Sequence, residues 1–360
     1  MKFSETVQNI THSKILPTIV DNVNNSNIFT ARVTSNPKNW SGKCIEQTIQ
    51  VANSTTGKSF SGLDTFDTSV TNNTRQLKWY VKAYAQTVVI PGIEKAANGV
   101  SESKVISLVA SKMEEAQNSM IDSIGSQLYG TGIGGDLEGL GLIVDNGTAT
   151  SSYGELSRAA YPSINGSVTA AASGNLSLDL VSSEFDNVSA AGDGKQAPTI
   201  ALTTKSVWSL FEKLLQSTGS LKGSYVATSA QGYNRVSGGT PNGVSVPATA
   251  LKGALGVDAI SYRGKPVVAD DKCPTGTFYW LNENYMEFRR LLSPDLKAVT
   301  SQNKVTEGTY ESSKYSFLQL RDFMSPVNQF GEIGAFMVLG NLIHRQPRRN
   351  GKIVGITKLG

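Results

Sequence analysis

One amphipathic segment, from Ser101 to Tyr129, limits the folds open to this chain more than any other feature of its sequence. Ser101 is a suitable N-cap, and Glu102 suits the positive end of a helix. Apolar residues recur at steps of three and four, as they do on one face of an α-helix. They are Val105, Val109, Met113, Ala116, Met120, Ile124 and Leu128. The segment therefore predicts a single helix about 40 Å long, well above the average length.

The glycines that follow this segment imitate a dinucleotide-binding motif. Gly130, Gly132 and Gly135 have the spacing of that motif, and Glu155 stands at about the distance of a ribose contact. The motif requires a strand before it, whereas here a long helix is predicted. We interpret YGTGIGG as the C-terminal stop of the helix, where glycine adopts left-handed backbone angles.

A second motif imitates the phosphate-binding loop of nucleotide-binding enzymes. Its relaxed form is satisfied within ANSTTGKSF by Ala52, Gly57, Lys58 and Ser59. The apolar run from Leu142 to Asp145 resembles the magnesium-binding strand of such enzymes. The loop binds phosphate because a helix starts directly after it, but residues 59–74 read SFSGLDTFDTSVTNNT, which is poor in helix formers. We therefore expect no helix there, and a P-loop nucleotide-binding ATPase is kept only as an alternative from another class.

Side chains that catalysis or metal binding would need are few. His12 lies in a polar stretch, and a surface His344 beside Arg345 is more typical of a structural or solvated residue than of a catalytic one. Cys44 and Cys273 stand far apart without a CxxC pair, which excludes a zinc ribbon and gives no disulfide framework. We predict no enzyme activity, no metal and no cofactor, in a reducing compartment.

Charge and hydropathy add further exclusions. The formal charge of +4 on 360 residues does not require a nucleic-acid partner. The longest apolar run, near residues 335–339, is too short to span a bilayer, and the N-terminal residues lack the apolar core of a signal peptide. Of the paired acids, Glu114 and Glu115 suit the polar side of the long helix, and Asp270 and Asp271 suit a turn.

A long β-hairpin is predicted before the helix. Residues 1–39 are rich in Asn, Ser and Thr and are interpreted as an extended arm. Residues 43–51 and 77–90 alternate as two strands of one hairpin. The tip, residues 52–75, carries apolar side chains that a two-stranded ribbon cannot bury. They are Phe60, Leu63 and Phe66.

The rest of the chain predicts a separate α+β unit. A helix is expected over residues 205–217, ended by Gly219. Strands are expected in YRGKPVVADDKCPTGTFYWLNENYMEFRRL and over residues 333–343 and 352–356. With 39% hydrophobic residues, the chain can bury a substantial core.

The order of these parts is specific. It runs from a polar arm and long hairpin through VVIPGIEKAANG, the long helix ending in QLYGTG and GKPVVADDKCPTGTFYWLN to IGAFMVLGNLIHRQPRRNGKIVGI. From about Leu16 to its end, the chain resembles the major capsid proteins of tailed bacteriophages, which have the α+β Hong Kong 97-type fold. The resemblance implies an N-arm at 1–39, an E-loop at 40–82, a P-domain with the spine helix at 83–140 and an A-domain at 141–285. It further implies a returning P-domain segment at 286–345 and a C-terminal strand of the A-domain at 346–360.

The resemblance also implies function and partners. The expected function is structural: many copies self-assemble, as hexamers and pentamers, into an icosahedral virion shell around double-stranded DNA. Expected partners are a portal, decoration proteins and a scaffolding protein, either separate or already trimmed from this chain, with weak non-specific contact to packaged DNA and none to a membrane. Assembly is expected in the bacterial host cytoplasm. An encapsulin-like protein compartment is the alternative with the same fold.

Two groups of residues are the candidates for contacts between subunits. The hairpin tip resembles an E-loop tip, and its candidates are Lys58, Phe60, Leu63, Phe66 and Arg75. Some family members join an E-loop lysine to an asparagine of another subunit, but the sequence offers no match for that asparagine or for the catalytic glutamate, so we expect Lys58 to be ion-paired or solvated. The second group is a basic turn near the C-terminus, either a solvated connection or an electrostatic contact with an acidic neighbour or DNA. Its candidates are Arg345, Arg348, Arg349 and Lys352.

Overall fold

The architecture comes from a computed structural model, which describes residues 27–97, 102–190, 194–217, 259–293, 296–298, 317–326 and 328–360. The predicted arm up to residue 26, with His12, lies outside these residues, as does Gly219. No helix in the described part of the chain is both long enough and apolar enough to cross a membrane.

The described residues form the long helix and further α-helices before and after it in the chain. In chain order they are α1 (Ile28–Thr34), α2 (Gly92–Ala97), α3 (Glu102–Leu128), α4 (Leu140–Ile143), α5 (Leu178–Val188) and α6 (Lys205–Ser217).

The described strands are numbered in the same way. They are β1 (Lys38–Asn39), β2 (Cys44–Gln50), β3 (Thr74–Tyr80), β4 (Lys82–Pro91), β5 (Ser152–Tyr153), β6 (Leu156–Ser157), β7 (Ser167–Ala170), β8 (Asn175–Leu176), β9 (Ile200–Thr203), β10 (Ala259–Tyr262), β11 (Lys265–Ala269), β12 (Phe278–Leu281), β13 (Met286–Arg290), β14 (Lys297–Ala298), β15 (Gln319–Met324), β16 (Gly331–His344), β17 (Gly351–Val354) and β18 (Lys358–Leu359).

The long helix is confirmed. The helix α3 lies within one residue of the predicted segment at each end. Its apolar face is buried in the larger hydrophobic core through Ala116, Met120, Ile124 and Leu128. Gly132 follows with φ +69°, a left-handed angle that side chains disfavour. The helix therefore ends in the predicted glycine turn, without a preceding strand that would make this turn a nucleotide fingerprint.

The first sheet is built around β16, which pairs with β4, β13 and β15. The long β4 runs antiparallel to it from Lys82, opposite Gly340, to Pro91, opposite Gly331. The short β1 pairs in parallel with β13, and β14 pairs with β15. This sheet and α3 share the larger core, so the long helix has one continuous surface to pack on.

The second sheet has the order β10-β11-β9-β12-β17-β7. Its central strands β9 and β12 are buried at every position, because both faces are covered. Tyr279 and Leu281 face the core that contains α3, whereas Phe278 and Trp280 face a second core with α5 and α6. Each face of this sheet therefore packs against a different one of the two cores.

Three predictions of secondary structure need correction or addition. The single strand expected over residues 77–90 is two strands, since β3 pairs with β2 whereas β4 pairs with β16. The arm is not extended throughout, because residues 28–34 form the helix α1 and bury Phe29. The helix α5 was not anticipated, while α6 has the predicted bounds. The boundaries of the domains stay predictions.

Candidate functional site: the exposed hairpin tip

A hairpin of two seven-residue strands extends the chain at residues 44–80. Its register runs from Cys44 opposite Tyr80 to Gln50 opposite Thr74. The side chains of Leu77 and Trp79, near its base, are completely buried in the larger core. This anchoring fixes the base, while the outer part lies away from the core.

Residues 51–73, which make up most of the hairpin tip, contain no helix or strand and expose large apolar side chains. The exposed fractions are 62% for Phe60, 102% for Leu63, 65% for Phe66 and 98% for Val70. Phe60 and Phe66 contact each other edge to face, with ring centroids 5.1 Å apart. Several large apolar side chains exposed on one segment are characteristic of an interaction site. Val70 was not among the predicted contact residues, although it lies in the same polar segment as the other three.

The resemblance to a phosphate-binding loop fails in three dimensions. No helix follows Ser59, as predicted. Asp145 follows the short helix α4 rather than a strand, and its carboxylate accepts hydrogen bonds from the backbone N–H groups of Gly147, Ala149 and Thr150. Burial favours the neutral acid, but these hydrogen bonds dominate and lower the pKa of Asp145 below its usual range. Asp145 thus organises its own loop.

The two basic candidates in the hairpin differ. Lys58 is exposed in the tip. Arg75 contacts its own chain, since its Nε donates to the hydroxyl of Tyr161 at 2.8 Å and its guanidinium lies 5.4 Å from the centre of that ring. The contact to another subunit predicted for Arg75 would therefore have to coexist with this intrachain contact.

The basic turn near the C-terminus is mostly engaged within the chain. Arg345 donates from Nε to Glu287 at 2.8 Å, and Arg349 donates to the Gln196 side chain at 2.7 Å. Lys352 lies half-buried in β17, and burial is the main cause of its lowered pKa. Arg348 is the exposed member of the four. An intermolecular contact at this turn would therefore depend mainly on Arg348.

Contacts that the sequence analysis missed hold the end of the arm. The Arg32 guanidinium makes two hydrogen bonds to Glu283, at 2.7 and 2.8 Å. Lys38 lies 2.5 Å from the buried carboxylate of Glu287. Burial alone would raise the pKa of Glu287, but the hydrogen bonds from Lys38 and Arg345 lower it to about 2. Arg32 and Lys38 are each more than 240 residues from the carboxylate that they contact, so no local pattern in the sequence predicts these pairs.

The turn at Asp270 holds the arm as well. One carboxylate oxygen accepts the N–H of Phe29 at 2.8 Å, and the other accepts the N–H of Lys272 at 2.9 Å. The second bond closes the predicted turn. The first caps the start of α1, so the same carboxylate joins the arm to the body.

The prediction that His344 lies at the surface is wrong, because its side chain is fully buried. Its Nδ1 accepts the N–H of Gln346 at 3.2 Å, and its Nε2 lies 3.2 Å from the carbonyl oxygen of Asn282 and 2.9 Å from the side-chain amide nitrogen of Asn350. Burial lowers the pKa of His344 to about 4. The imidazole is therefore neutral near pH 7 and connects β16 to the segment after β12.

Glu138 is a further group whose pKa is strongly shifted. It lies in the loop between α3 and α4, where its N–H donates to the Asn341 side chain at 3.0 Å. Asn341 in turn donates to the carbonyl oxygen of Tyr80, where β3 ends. Burial raises the pKa of Glu138 to about 7, against smaller lowering effects of Asn341 and Lys82. Among the described residues, no group of three His, Cys, Asp or Glu side chains could hold a metal ion.

Comparison with solved structures identifies proteins of the same architecture. A chain of the cyanophage A-1(L) capsid matches with a TM-score of 0.64 at 15% identity, over 97% of this chain and 98% of that one. The capsid of Myoviridae phage XM1 matches with a TM-score of 0.53 at 13% identity, over 97% of each chain. The SrpI encapsulin of Synechococcus elongatus PCC 7942 matches with a TM-score of 0.54 at 10% identity, over 99% of this chain and 96% of that one.

Sequence comparisons give no relative. No protein-family model matches the chain, and no curated protein matches it. At these levels of identity, the structural matches show a shared fold.

Proposed function

The chain has the Hong Kong 97-type fold, and from this premise we propose that it is a structural, non-enzymatic major capsid protein of a tailed bacteriophage. Its copies form the icosahedral head shell that encloses double-stranded DNA. The observation that carries the proposal is the hairpin tip, where four large apolar side chains are exposed on a segment held away from the core. When another copy of the chain covers these side chains, their apolar surface is removed from water, which stabilises the assembly.

The energy available at the tip suits reversible assembly. Burying the side chains of Phe60, Leu63 and Phe66 contributes on the order of 1.5 to 3 kcal/mol each, which ordering the loop partly offsets. Each copy in a shell makes this contact once as donor and once as acceptor. A modest contact therefore stabilises a closed shell, while the single copy is left soluble.

The other contacts follow from the same proposal. Copies associate as hexamers and pentamers, and a scaffolding protein, a portal and decoration proteins act with them in the virion, which assembles in the host cytoplasm. Arg348 provides an exposed cation for an acidic neighbour or for packaged DNA.

An encapsulin-like compartment is the second candidate, and the match to the SrpI encapsulin favours it specifically. Both candidates predict closed shells, because they share the fold. Electron microscopy of shells purified from the native source distinguishes them, since one contains DNA and the other a protein cargo.

The direct test replaces residues 52–72 by an Asn-Gly turn, which suits a two-residue hairpin connection and keeps Gln50 opposite Thr74. We expect circular dichroism and thermal unfolding of the monomer to be nearly unchanged and shell formation to be weakened or lost. A milder variant carries Phe60→Ser, Leu63→Ser and Phe66→Ser. Its matched control changes three neighbouring polar residues, as Ser59→Ala, Ser61→Ala and Ser69→Ala, and should assemble normally.

Two results would count against the proposal. If the shortened chain unfolds or aggregates as a monomer, the tip belongs to the subunit's own core. If the triple serine variant assembles as well as the wild type, the apolar tip does not drive assembly.

A further inference from the structure

One short segment, residues 151–161, makes three hydrogen bonds to backbone and side-chain groups of β3. We name this segment the clamp. Its contacts are Lys78 N–H to the Gly154 carbonyl oxygen at 3.1 Å, the Tyr80 hydroxyl to Glu155 Oε1 at 2.7 Å and Arg75 Nε to the Tyr161 hydroxyl at 2.8 Å.

The clamp approaches β3 through a tight turn. Gly154 and Glu155 connect β5 to β6, and both have left-handed angles, with φ +53° and +66°. A Cβ atom at Gly154 would lie 2.7 Å from a methyl carbon of Leu77, so glycine allows this close approach. Glu155 is not a glycine, and the left-handed region is unfavourable for it. The two-residue turn holds Glu155 at this angle, and its carboxylate there accepts the hydroxyl of Tyr80.

The clamp contacts one edge of the hairpin. Lys78 is opposite Glu46 in the ladder, but its N–H points away from β2 and donates to the clamp. Behind this edge, the rings of Trp79 and Tyr153 meet edge to face, with centroids 6.2 Å apart. Buried ring packing and three outer hydrogen bonds thus act on the same strand.

The contacts lie directly beside the place where the chain changes sheets. The strand β3 ends at Tyr80 and β4 begins at Lys82 in another sheet, so the hairpin has no continuous strand to hold its direction. A two-stranded ribbon is easily twisted and bent. Contacts along β3, from Arg75 to Tyr80, remove that freedom.

We propose that the clamp is a positioning element that fixes the direction of the hairpin, and so presents the tip to a second copy of this chain in a single orientation. The functional half of this inference rests on the proposed shell assembly. The structural half concerns the single subunit and can be measured without assembly.

Backbone amide exchange at Lys78 is a direct readout of the clamp, because this N–H bonds to the clamp and not to β2. The test variant, Tyr80→Phe with Tyr161→Phe, deletes two hydroxyl groups and keeps both rings. Its matched control, Glu46→Gln, removes the 3.1 Å ion pair to Lys78 within the hairpin and leaves the clamp untouched. We expect exchange at Lys78 to become roughly tenfold faster in the double variant and to stay unchanged in the control.

The same variants are then compared in assembly, followed by light scattering. We expect slower shell formation by the double variant only, at unchanged monomer melting temperature. If Lys78 exchanges at the wild-type rate in the double variant, the clamp does not hold the hairpin and the inference is wrong. If exchange accelerates but assembly is normal, the direction of the hairpin does not limit docking and the functional half is wrong. If the wild type forms no shells, the proposed function fails, and the functional half fails with it.

Discussion

The carboxyl group of Glu138 should make the stability of the subunit depend on pH near neutrality. It faces Lys82 on β4, Tyr153 on β5 and Asn341 on β16. Its Oε2 is buried and has no hydrogen-bond partner among the described residues. Burial therefore disfavours the charged form, which raises the pKa from 4.5 to about 7.

The sign of the effect follows from proton binding. Between pH 4.5 and 7 the folded chain holds a proton on Glu138 that the unfolded chain has released, so folding loses stability as pH rises through this range. The difference between the two pKa values corresponds to about 3 kcal/mol once the pH exceeds 7. Below pH 4.5, both states are protonated and the penalty disappears.

The variant Glu138→Gln keeps the shape of the side chain and cannot ionise. We expect its free energy of unfolding, relative to the wild type, to increase by about 3 kcal/mol between pH 4 and pH 8. Urea unfolding of the monomer across this range measures the difference. Glu115→Gln, on the exposed side of the long helix, is the matched control for the removal of one carboxylate. A difference for Glu138→Gln that does not change with pH would refute the assignment of a buried, destabilised carboxylate.

Three further outcomes are expected. The folded-state pKa of His344 lies near 4, below its usual 6.5, so stability should fall as pH drops from 6.5 towards 4, and urea unfolding of His344→Gln should lack this part of the pH dependence. Arg348→Glu should change the free energy of unfolding of the monomer by no more than about 0.5 kcal/mol but should weaken assembly at low salt. Arg349→Glu, in contrast, should destabilise the monomer because it removes the hydrogen bond to Gln196. Normal shells from the Arg348 variant at low salt would show that the turn is only a solvated connection. Calorimetry should detect no ATP binding, with or without Lys58→Ala, and micromolar binding that this change abolishes would refute the capsid proposal.

Local patterns in the sequence were sufficient for the elements that depend on neighbours along the chain. The bounds of α6 and, within one residue, those of α3 follow from the spacing of their apolar residues. The missing helix after Ser59 follows from residue types that disfavour helix. In each case, the interactions that decide the conformation lie within a few residues, so the types and spacing of these residues are sufficient to predict it.

The candidate site was predictable only in part, for the same reason. The exposed Phe60, Leu63 and Phe66 could be found because a polar, helix-poor segment cannot bury them itself. That Arg75 is occupied by Tyr161 could not be read from the sequence, since 86 residues separate the two.

Pairings between distant segments could be determined only from the three-dimensional structure. The alternation of residues 77–90 is the same on both sides of Val81, yet β3 pairs with β2 and β4 pairs with β16, some 250 residues away. The charges show the same limit, because Glu138 and Glu287 are both carboxylates and differ only in their surroundings. Burial raises the pKa of Glu138, whereas hydrogen bonds from Lys38 and Arg345 lower the pKa of Glu287. Periodicity encodes what a residue does with its neighbours in sequence, whereas strand partners, burial and pKa depend on groups that come together only when the whole chain packs.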